Sequence, residues 1–93
     1  MKNLEELREE IDRIDKDIVK LFESRMEKVE EVSEYKRKNN IRILNRSREE
    51  EVLRRNKKHL KNKALEPYLE KFYIELMRVS KDYQKDGGKR DGK

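Results

Sequence analysis

Charged side chains interrupt the hydrophobic periodicity of the first predicted helix. Apolar residues recur there every three or four positions, which is typical of a packed helix face: Leu4, Leu7, Ile11, Ile14, Ile18 and Leu21. The next member of this series is Arg25, and Lys36 lies one turn after Val32. Because a buried cation is costly unless it is paired, these positions predict a pocket for an anion. The alternatives are side chains that reach past the core to water or, for Arg25, a device that fixes coiled-coil register.

Two later segments also place polar residues on their apolar stripes. In the second segment they come one turn before Val52 and Leu53, and in the third they continue the stripe of Leu69, Phe72 and Leu76. These polar residues are Arg48, Glu49, Ser80 and Gln84. Together with the two cations of the first helix, they would form a pocket with surplus positive charge. Since a guanidinium group binds carboxylates through paired hydrogen bonds, the sequence predicts a ligand that carries carboxylates.

Arg8 lies beside the same apolar stripe but far from Arg25. The two are 17 residues apart, which is roughly 26 Å along a helix. No arginine side chain spans that gap. If Arg8 joins the pocket, it must come from a second chain whose long helix runs antiparallel to the first. Otherwise Arg8 is a solvated surface residue.

The periodicity predicts an all-α fold with three helices, one very long and two about half its length. The first runs from about Asn3 to Lys38, the second begins near Asn45 or Ser47, and the third carries Pro67 in its first turn. A helix of about 36 residues would be roughly 54 Å long, more than the width of a compact domain of this size. The sequence therefore predicts that this helix is a coiled-coil arm or the shared spine of an oligomer.

The composition favours an oligomer. Of the 93 residues 51% are charged and only 32% are hydrophobic, so one copy has little material for a core. The 26 basic and 21 acidic residues are interleaved, which is typical of solvated helix surfaces rather than of a basic arm. The chain has no cysteine, a single histidine and no long apolar run. We therefore expect a cytoplasmic protein with no disulfide, metal or membrane segment.

The carboxyl-terminal residues differ in composition from the rest. The stretch "DGGKRDGK" is rich in glycine and charge, which is typical of flexible chain. The sequence thus predicts a helical domain over residues 1–85 and a disordered tail or linker remnant over residues 86–93.

The segment "LEELREEIDRIDKDIVKLFESR" resembles the opening of the all-helical chorismate mutases. The matching positions are Leu7, Arg8, Ile11, Asp12, Asp15 and then Arg25. The resemblance continues through "EYKRKNN", "NRSREEEVL" and "MRVSKDYQ", which supply Lys36, Asn45, Arg48, Glu49, Ser80 and Gln84. It extends over about residues 4–85, with the pieces in order and at matching separations.

This resemblance implies an intertwined homodimer with two equivalent active sites. Each site would take polar groups from all three helices of one chain and Arg8 from the first helix of the other. The implied reaction is the rearrangement of chorismate to prephenate in phenylalanine and tyrosine biosynthesis. It needs no cofactor, metal or covalent intermediate, and neither nucleic acid nor a membrane is an expected partner.

The resemblance also implies a role for each residue of the site. Arg25 and the partner subunit's Arg8 would bind the two carboxylates of chorismate. Lys36 would bridge a carboxylate and the ether oxygen of the breaking bond, and Gln84 would donate to the same oxygen. The remaining positions would complete the pocket: Glu49 as acceptor from the ring hydroxyl, with Arg48 and Ser80 around the ring and carboxylate.

Asn45 departs from the family pattern, because many members carry an acidic residue at this position. Its amide could accept a hydrogen bond from the ring hydroxyl, or it could simply cap the second helix.

Two other functions remain open from the sequence. A pyruvate lyase acting on isochorismate would share the fold and a similar cationic pocket. A basic helical module that binds nucleic acid would need its basic residues on one face, and the interleaved acidic residues count against it. A purely structural coiled coil would leave Ser80 and Gln84 unexplained.

Overall fold

A computed structural model describes residues 1–90, with the side chains of residues 88–90 left aside, and it is all-α as predicted. Helix α1 spans Leu4–Lys38, α2 spans Arg46–Lys58 and α3 spans Glu66–Arg90. A single 3-10 turn, Lys63–Leu65, precedes α3. Helices α1 and α2 both pack against α3, which is therefore the central element.

The ends of α1 follow from local hydrogen bonds. At its start, the Glu6 amide donates to Oδ1 of Asn3 at 2.9 Å, which confirms Asn3 as the N-cap. At its end, Asn40 takes a left-handed conformation with φ of 55°. The Ile41 amide then donates back to the carbonyl of Lys36 at 2.9 Å, the bond that closes a Schellman turn. This turn reverses the chain, so that the segment after it comes back alongside Lys36.

Helix α3 is longer than the sequence indicated. It has 25 residues against 35 in α1, and it continues through Asp86 and the buried Gly87 to Arg90. The disordered tail predicted from Asp86 is therefore helical over residues 86–90, because extending an existing helix adds a hydrogen bond per residue and needs no new nucleus. Residues 91–93 of that predicted tail lie outside the described residues, and the domain boundary after residue 85 stays a prediction.

The single chain is thin and elongated. It measures 55 × 33 × 15 Å, and its smallest dimension is little more than the diameter of one helix, about 10–12 Å. Its radius of gyration is 16.6 Å, whereas a compact domain of this length has about 12 Å. Within the described residues, the buried hydrophobic side chains are those of Met26 and Met77. One layer of helices encloses almost no core, as the composition led us to expect.

Most apolar side chains of α1 face solvent in the single chain. Those of its amino-terminal stripe are between 45% and 69% exposed: Leu4, Leu7, Ile11, Ile14, Ile18 and Leu21. None of the helices in the described part of the chain is both long and apolar enough to cross a membrane.

Candidate active site

The three helices surround a cavity of about 290 Å³. Its lining includes seven of the eight residues predicted for the site: Arg25, Lys36, Asn45, Arg48, Glu49, Ser80 and Gln84. We call it the cationic cavity. Helix α1, the loop after it, α2 and α3 all contribute, so the fold brings together polar residues that lie far apart in the sequence.

Arg25 is held by Ser80 across the contact between α1 and α3. Its Nη1 donates to Oγ of Ser80 at 2.5 Å, and this hydroxyl donates in turn to the carbonyl of Leu76 at 2.9 Å. Ser80 is only 6% exposed, so the guanidinium is anchored to a fixed point. Both bonds join neutral oxygens, and they orient the cation of Arg25 without neutralising it.

Lys36 is oriented by the turn that ends α1. Its Nζ donates to the carbonyl of Ile43 at 3.0 Å, and the side chain is half-buried. The left-handed Asn40 and the Schellman turn bring the chain back so that this carbonyl faces Lys36. Here too the partner is neutral, so Lys36 keeps its positive charge available to an anion.

The other cations of the cavity lie beside carboxylates. Nη1 of Arg48 donates to Glu51 at 2.5 Å, and Nζ of Lys28 donates to Glu31 at 2.9 Å. The hydrogen bond from Arg48 lowers the pKa of Glu51, and the hydrogen bond to Glu31 raises the pKa of Lys28. Both pairs are exposed. The cations of the cavity therefore form two groups. Arg25 and Lys36 are bonded to neutral oxygens, whereas Arg48 and Lys28 are paired with carboxylates.

Among the described residues, Glu49 is the only carboxylate that lines the cavity. Its Oε2 lies 2.9 Å from Nζ of Lys81, and the two side chains are 28% and 29% exposed. Glu49 stands in the first turn of α2 and Lys81 stands on α3, so this ion pair joins the two helices.

Two amides complete the polar lining. Oδ1 of Asn45 accepts from the Arg48 amide at 3.0 Å, so Asn45 caps α2. Oε1 of Gln84 is buried and has no hydrogen-bond partner among the described residues. A buried acceptor without a partner costs about 1–3 kcal/mol. Gln84 itself lines the cavity, and a half-turn of its amide would exchange the positions of this oxygen and the Nε2 donor.

With this geometry in view, comparison with known proteins gives one match. Residues 7–85 match the family described as chorismate mutase type II. The chain belongs to this family. A search of curated proteins and a search of solved structures each return no match. The suspected resemblance to all-helical chorismate mutases is thus confirmed at the level of the family.

Arg8 is the one predicted site residue that lies outside the cationic cavity of this chorismate mutase family member. It is exposed on α1 and stands 17 residues before Arg25 on the same unbroken helix. The rise of a helix puts roughly 26 Å between the two positions. Within one chain Arg8 cannot contribute, as the sequence indicated, and its role across an interface stays a prediction.

Lys81 also lines the cavity, although it is absent from the residues predicted for the site. A signal was present, because Lys81 lies four residues after Met77 and three before Gln84, on the same face of a helix. The stripe that runs from Leu76 through Ser80 to Gln84 passes directly beside it. The described residues contain no group of three or more His, Asp or Glu side chains placed to hold a metal ion.

The arrangement can bind a small anion and stabilise charge that develops on it. Arg25 and Lys36, one carboxylate acceptor and two amides line a volume that suits a small molecule. Arg25 and Lys36 are oriented by hydrogen bonds to Ser80 and to the carbonyl of Ile43, so their charges are preorganised.

Proposed function

We propose that the chain catalyses the rearrangement of chorismate to prephenate, a step in phenylalanine and tyrosine biosynthesis. The observation that carries the proposal is the pair of cations Arg25 and Lys36, which face one cavity and are bonded to neutral oxygens. A cation in a partly buried site is favourable when an anion joins it. Chorismate brings two carboxylates, and membership of the chorismate mutase type II family supports the same substrate.

The reaction is unimolecular and needs neither a base nor a nucleophile. The site would bind the compact conformer in which the two carbons that form the new bond approach each other. Arg25 would hold a carboxylate. Lys36 and the amide of Gln84 would donate to the ether oxygen as negative charge grows on it. Glu49 would accept from the ring hydroxyl.

Two residues have weaker support as substrate contacts. Asn45 uses its side-chain oxygen to cap α2, so its direct contribution is to hold the start of that helix. Arg48 is paired with Glu51 and its side chain is 58% exposed, so it must leave that partner to reach the substrate. Ser80 acts through Arg25, which it anchors.

We also propose that the active form is a homodimer in which the partner subunit's Arg8 completes each site. The supporting observations are the exposed apolar stripe of α1 and the elongated, thin shape of the single chain. An antiparallel pairing of two α1 helices would cover the stripes. It would also carry the Arg8 position of one chain toward the Arg25 end of the other.

The test is an assay of the purified chain with chorismate, with products resolved by nuclear magnetic resonance and no added metal. We expect prephenate. Replacement of Arg25 (Arg25→Ala) should lower kcat/KM by about 100-fold or more, because the substrate carboxylate would lose the cation that orients it. The matched control is Arg13→Ala, which removes an exposed arginine from the same helix. Circular dichroism should show that both variants stay helical.

Two results would contradict the proposal. Release of pyruvate from isochorismate, without conversion of chorismate, would assign the fold to a lyase. Full turnover by a folded Arg25→Ala variant would remove Arg25 from the site.

A further inference from the structure

The ion pair between Lys81 and Glu49 differs from the other ion pairs that the structure describes. In each of the others at least one side chain is more than 40% exposed, whereas here both are below 30%. Like the pair between Lys57 and Glu70 it joins α2 to α3, but over a longer stretch of sequence. A partly buried pair of this kind is screened less by solvent than a surface pair.

This ion pair stands in a wall between two cavities. Glu49 and Lys81 line the cationic cavity, and both also line a second cavity of about 520 Å³ behind it. The second cavity is lined by apolar side chains, among them Leu44, Leu53 and Ile74, and by the charged side chains of Arg46, Glu50 and Arg78. The ion pair therefore separates the ligand volume from a second cavity of mixed apolar and charged lining.

We infer that Lys81 is a positioning residue that holds Glu49 at this wall and away from the ligand cations. The inference rests on the proposed function. Glu49 is the only carboxylate that the described part of the chain contributes to the cationic cavity, while Arg25 and Lys36 carry charges that are bonded to neutral oxygens. A glutamate without a partner of its own would be attracted to those two cations and would compete with a dianionic substrate for them.

Lys81 prevents this competition and orients the acceptor at the same time. It occupies Oε2 of Glu49, and a carboxylate has a second oxygen with free lone pairs. That oxygen can accept from a ring hydroxyl. One ion pair thus keeps the anion site open and fixes the position of the hydrogen-bond acceptor, which is the kind of support that a precise site requires.

The experiment compares kcat and KM for chorismate in the wild-type chain and in four variants. Lys81→Met removes the charge and keeps the stem. We expect it to raise KM about tenfold, since Glu49 then competes with the substrate. Lys81→Arg should stay within about threefold of wild type, because it restores the ion pair. The matched control is Lys85→Met, one turn later on α3 and exposed, which should leave both constants unchanged.

The fourth variant combines Lys81→Met with Glu49→Gln and gives the decisive result. A neutral glutamine cannot neutralise Arg25 or Lys36, so we expect KM to return most of the way to the wild-type value. The value of kcat should be lower than that of the wild-type chain, because a glutamine at position 49 is a weaker acceptor for the ring hydroxyl than the carboxylate of Glu49. Thermal melts followed by circular dichroism measure the structural contribution of the pair separately.

Two outcomes would overturn the inference while the proposed function stands. One is an unchanged KM in a folded Lys81→Met variant. The other is a double variant whose KM is as high as that of Lys81→Met or higher, which would mean that Lys81 only ties α2 to α3. If wild type and Lys85→Met both fail to convert chorismate, the proposed function is wrong, and the inference about Lys81 is overturned with it.

Discussion

Helix α1 carries two stretches that differ in which side chains are exposed to solvent. In the amino-terminal stretch, Ile11 is 54% exposed and Ile14 is 57% exposed. In the carboxyl-terminal stretch, which begins at Arg25, Ser33 is only 4% exposed and Lys36 is half-buried. Apolar side chains thus face water in the first stretch, while the polar side chains of Ser33 and Lys36 are covered in the second.

Contacts within a single chain account for the second stretch but not for the first. The second stretch packs against α3 and lines the cationic cavity, so its polar residues have partners and a chemical use. The first stretch is a regular apolar stripe of six side chains with no comparable cover. Since burying such side chains stabilises by about 1.5–3 kcal/mol each, the exposed stripe supports the dimer interface that we propose. A site that needs Arg8 would link the two stretches across it.

The largest effect is expected from placing charge on the apolar stretch. The double variant Ile11→Asp, Ile14→Asp should lose the dimer and fall to background activity, because four carboxylates would enter the proposed interface. Sedimentation equilibrium and the chorismate assay measure the two effects. Lys16→Asp, on the opposite face of α1 by the 100° step per residue, is the control and should change neither. A double variant that keeps the mass of a dimer would place the interface elsewhere.

A mixing experiment connects the two stretches directly. Arg8→Ala and Arg25→Ala chains should each be nearly inactive alone. After mixing equal amounts and allowing exchange, half of the dimers should be hybrids with one intact site of two. The mixture should therefore recover about a quarter of wild-type activity. If verified hybrid dimers show no recovery, each site is built from one chain and the role of Arg8 is wrong.

A smaller effect is expected from truncating the two buried methionines, and it separates helix packing from the shape of the cationic cavity. Met26 and Met77 are 9% and 8% exposed, and only Met77 lines the cationic cavity. Met26→Ala and Met77→Ala should each lower the free energy of unfolding by about 2–3 kcal/mol, measured in urea at one fixed protein concentration. Only Met77→Ala should also change KM. Equal changes in KM for both variants would show that the cavity responds to global loosening.

The two helix caps give a matched pair of still smaller effects. Asn3 caps α1 and Asn45 caps α2, and each accepts from the amide three residues on. Asn3→Ala and Asn45→Ala should each cost about 1 kcal/mol of stability in urea unfolding. If Asn45 acts only as a cap, its variant should leave KM unchanged, as Asn3→Ala should. A rise in KM for Asn45→Ala alone would assign it a contact with the substrate.

Much of this fold could be predicted because its signals are local. The three-and-four spacing of leucine and isoleucine indicates α1, and the asparagine caps mark where α1 and α2 begin. The continuation of α3 through Gly87 could not be predicted. Glycine normally signals a break, yet here it extends a helix that is already nucleated and packed.

The cavity was predictable only in part, for a related reason. Positions such as Arg25 and Gln84 stand where the stripe calls for an apolar residue, and this contrast is visible in the sequence. Lys81 keeps the helical spacing, four residues after Met77 and three before Gln84, but it stands in a segment full of charged residues that masks this signal. Its partner Glu49 belongs to another helix, and the contact depends on how α2 packs on α3.

The smallest predicted effect concerns Glu51 on α2, the partner of Arg48. The hydrogen bond from Arg48, followed by the charge of Arg55, lowers the pKa of Glu51. A carboxyl group whose pKa is lower in the folded than in the unfolded state stabilises the fold above its unfolded pKa. That contribution is lost as the pH falls through the folded pKa. Because the pair is exposed, the change in stability should be slight, but carbon-13 titration of the carboxyl resolves the pKa itself.

This titration also tests whether Arg48 belongs to the site. If the guanidinium turns to the substrate, a saturating dicarboxylate analogue of chorismate should raise the pKa of Glu51 toward its ordinary value. The rise should be incomplete, because Nη2 of Arg55 still donates to Glu51 at 3.1 Å. Arg48→Ala should give the same rise without ligand and should make the pKa insensitive to the analogue. An unchanged pKa in the saturated wild-type chain would show that Arg48 keeps its surface partner, and Arg25 and Lys36 would remain the cations of this chain that we propose to bind the substrate.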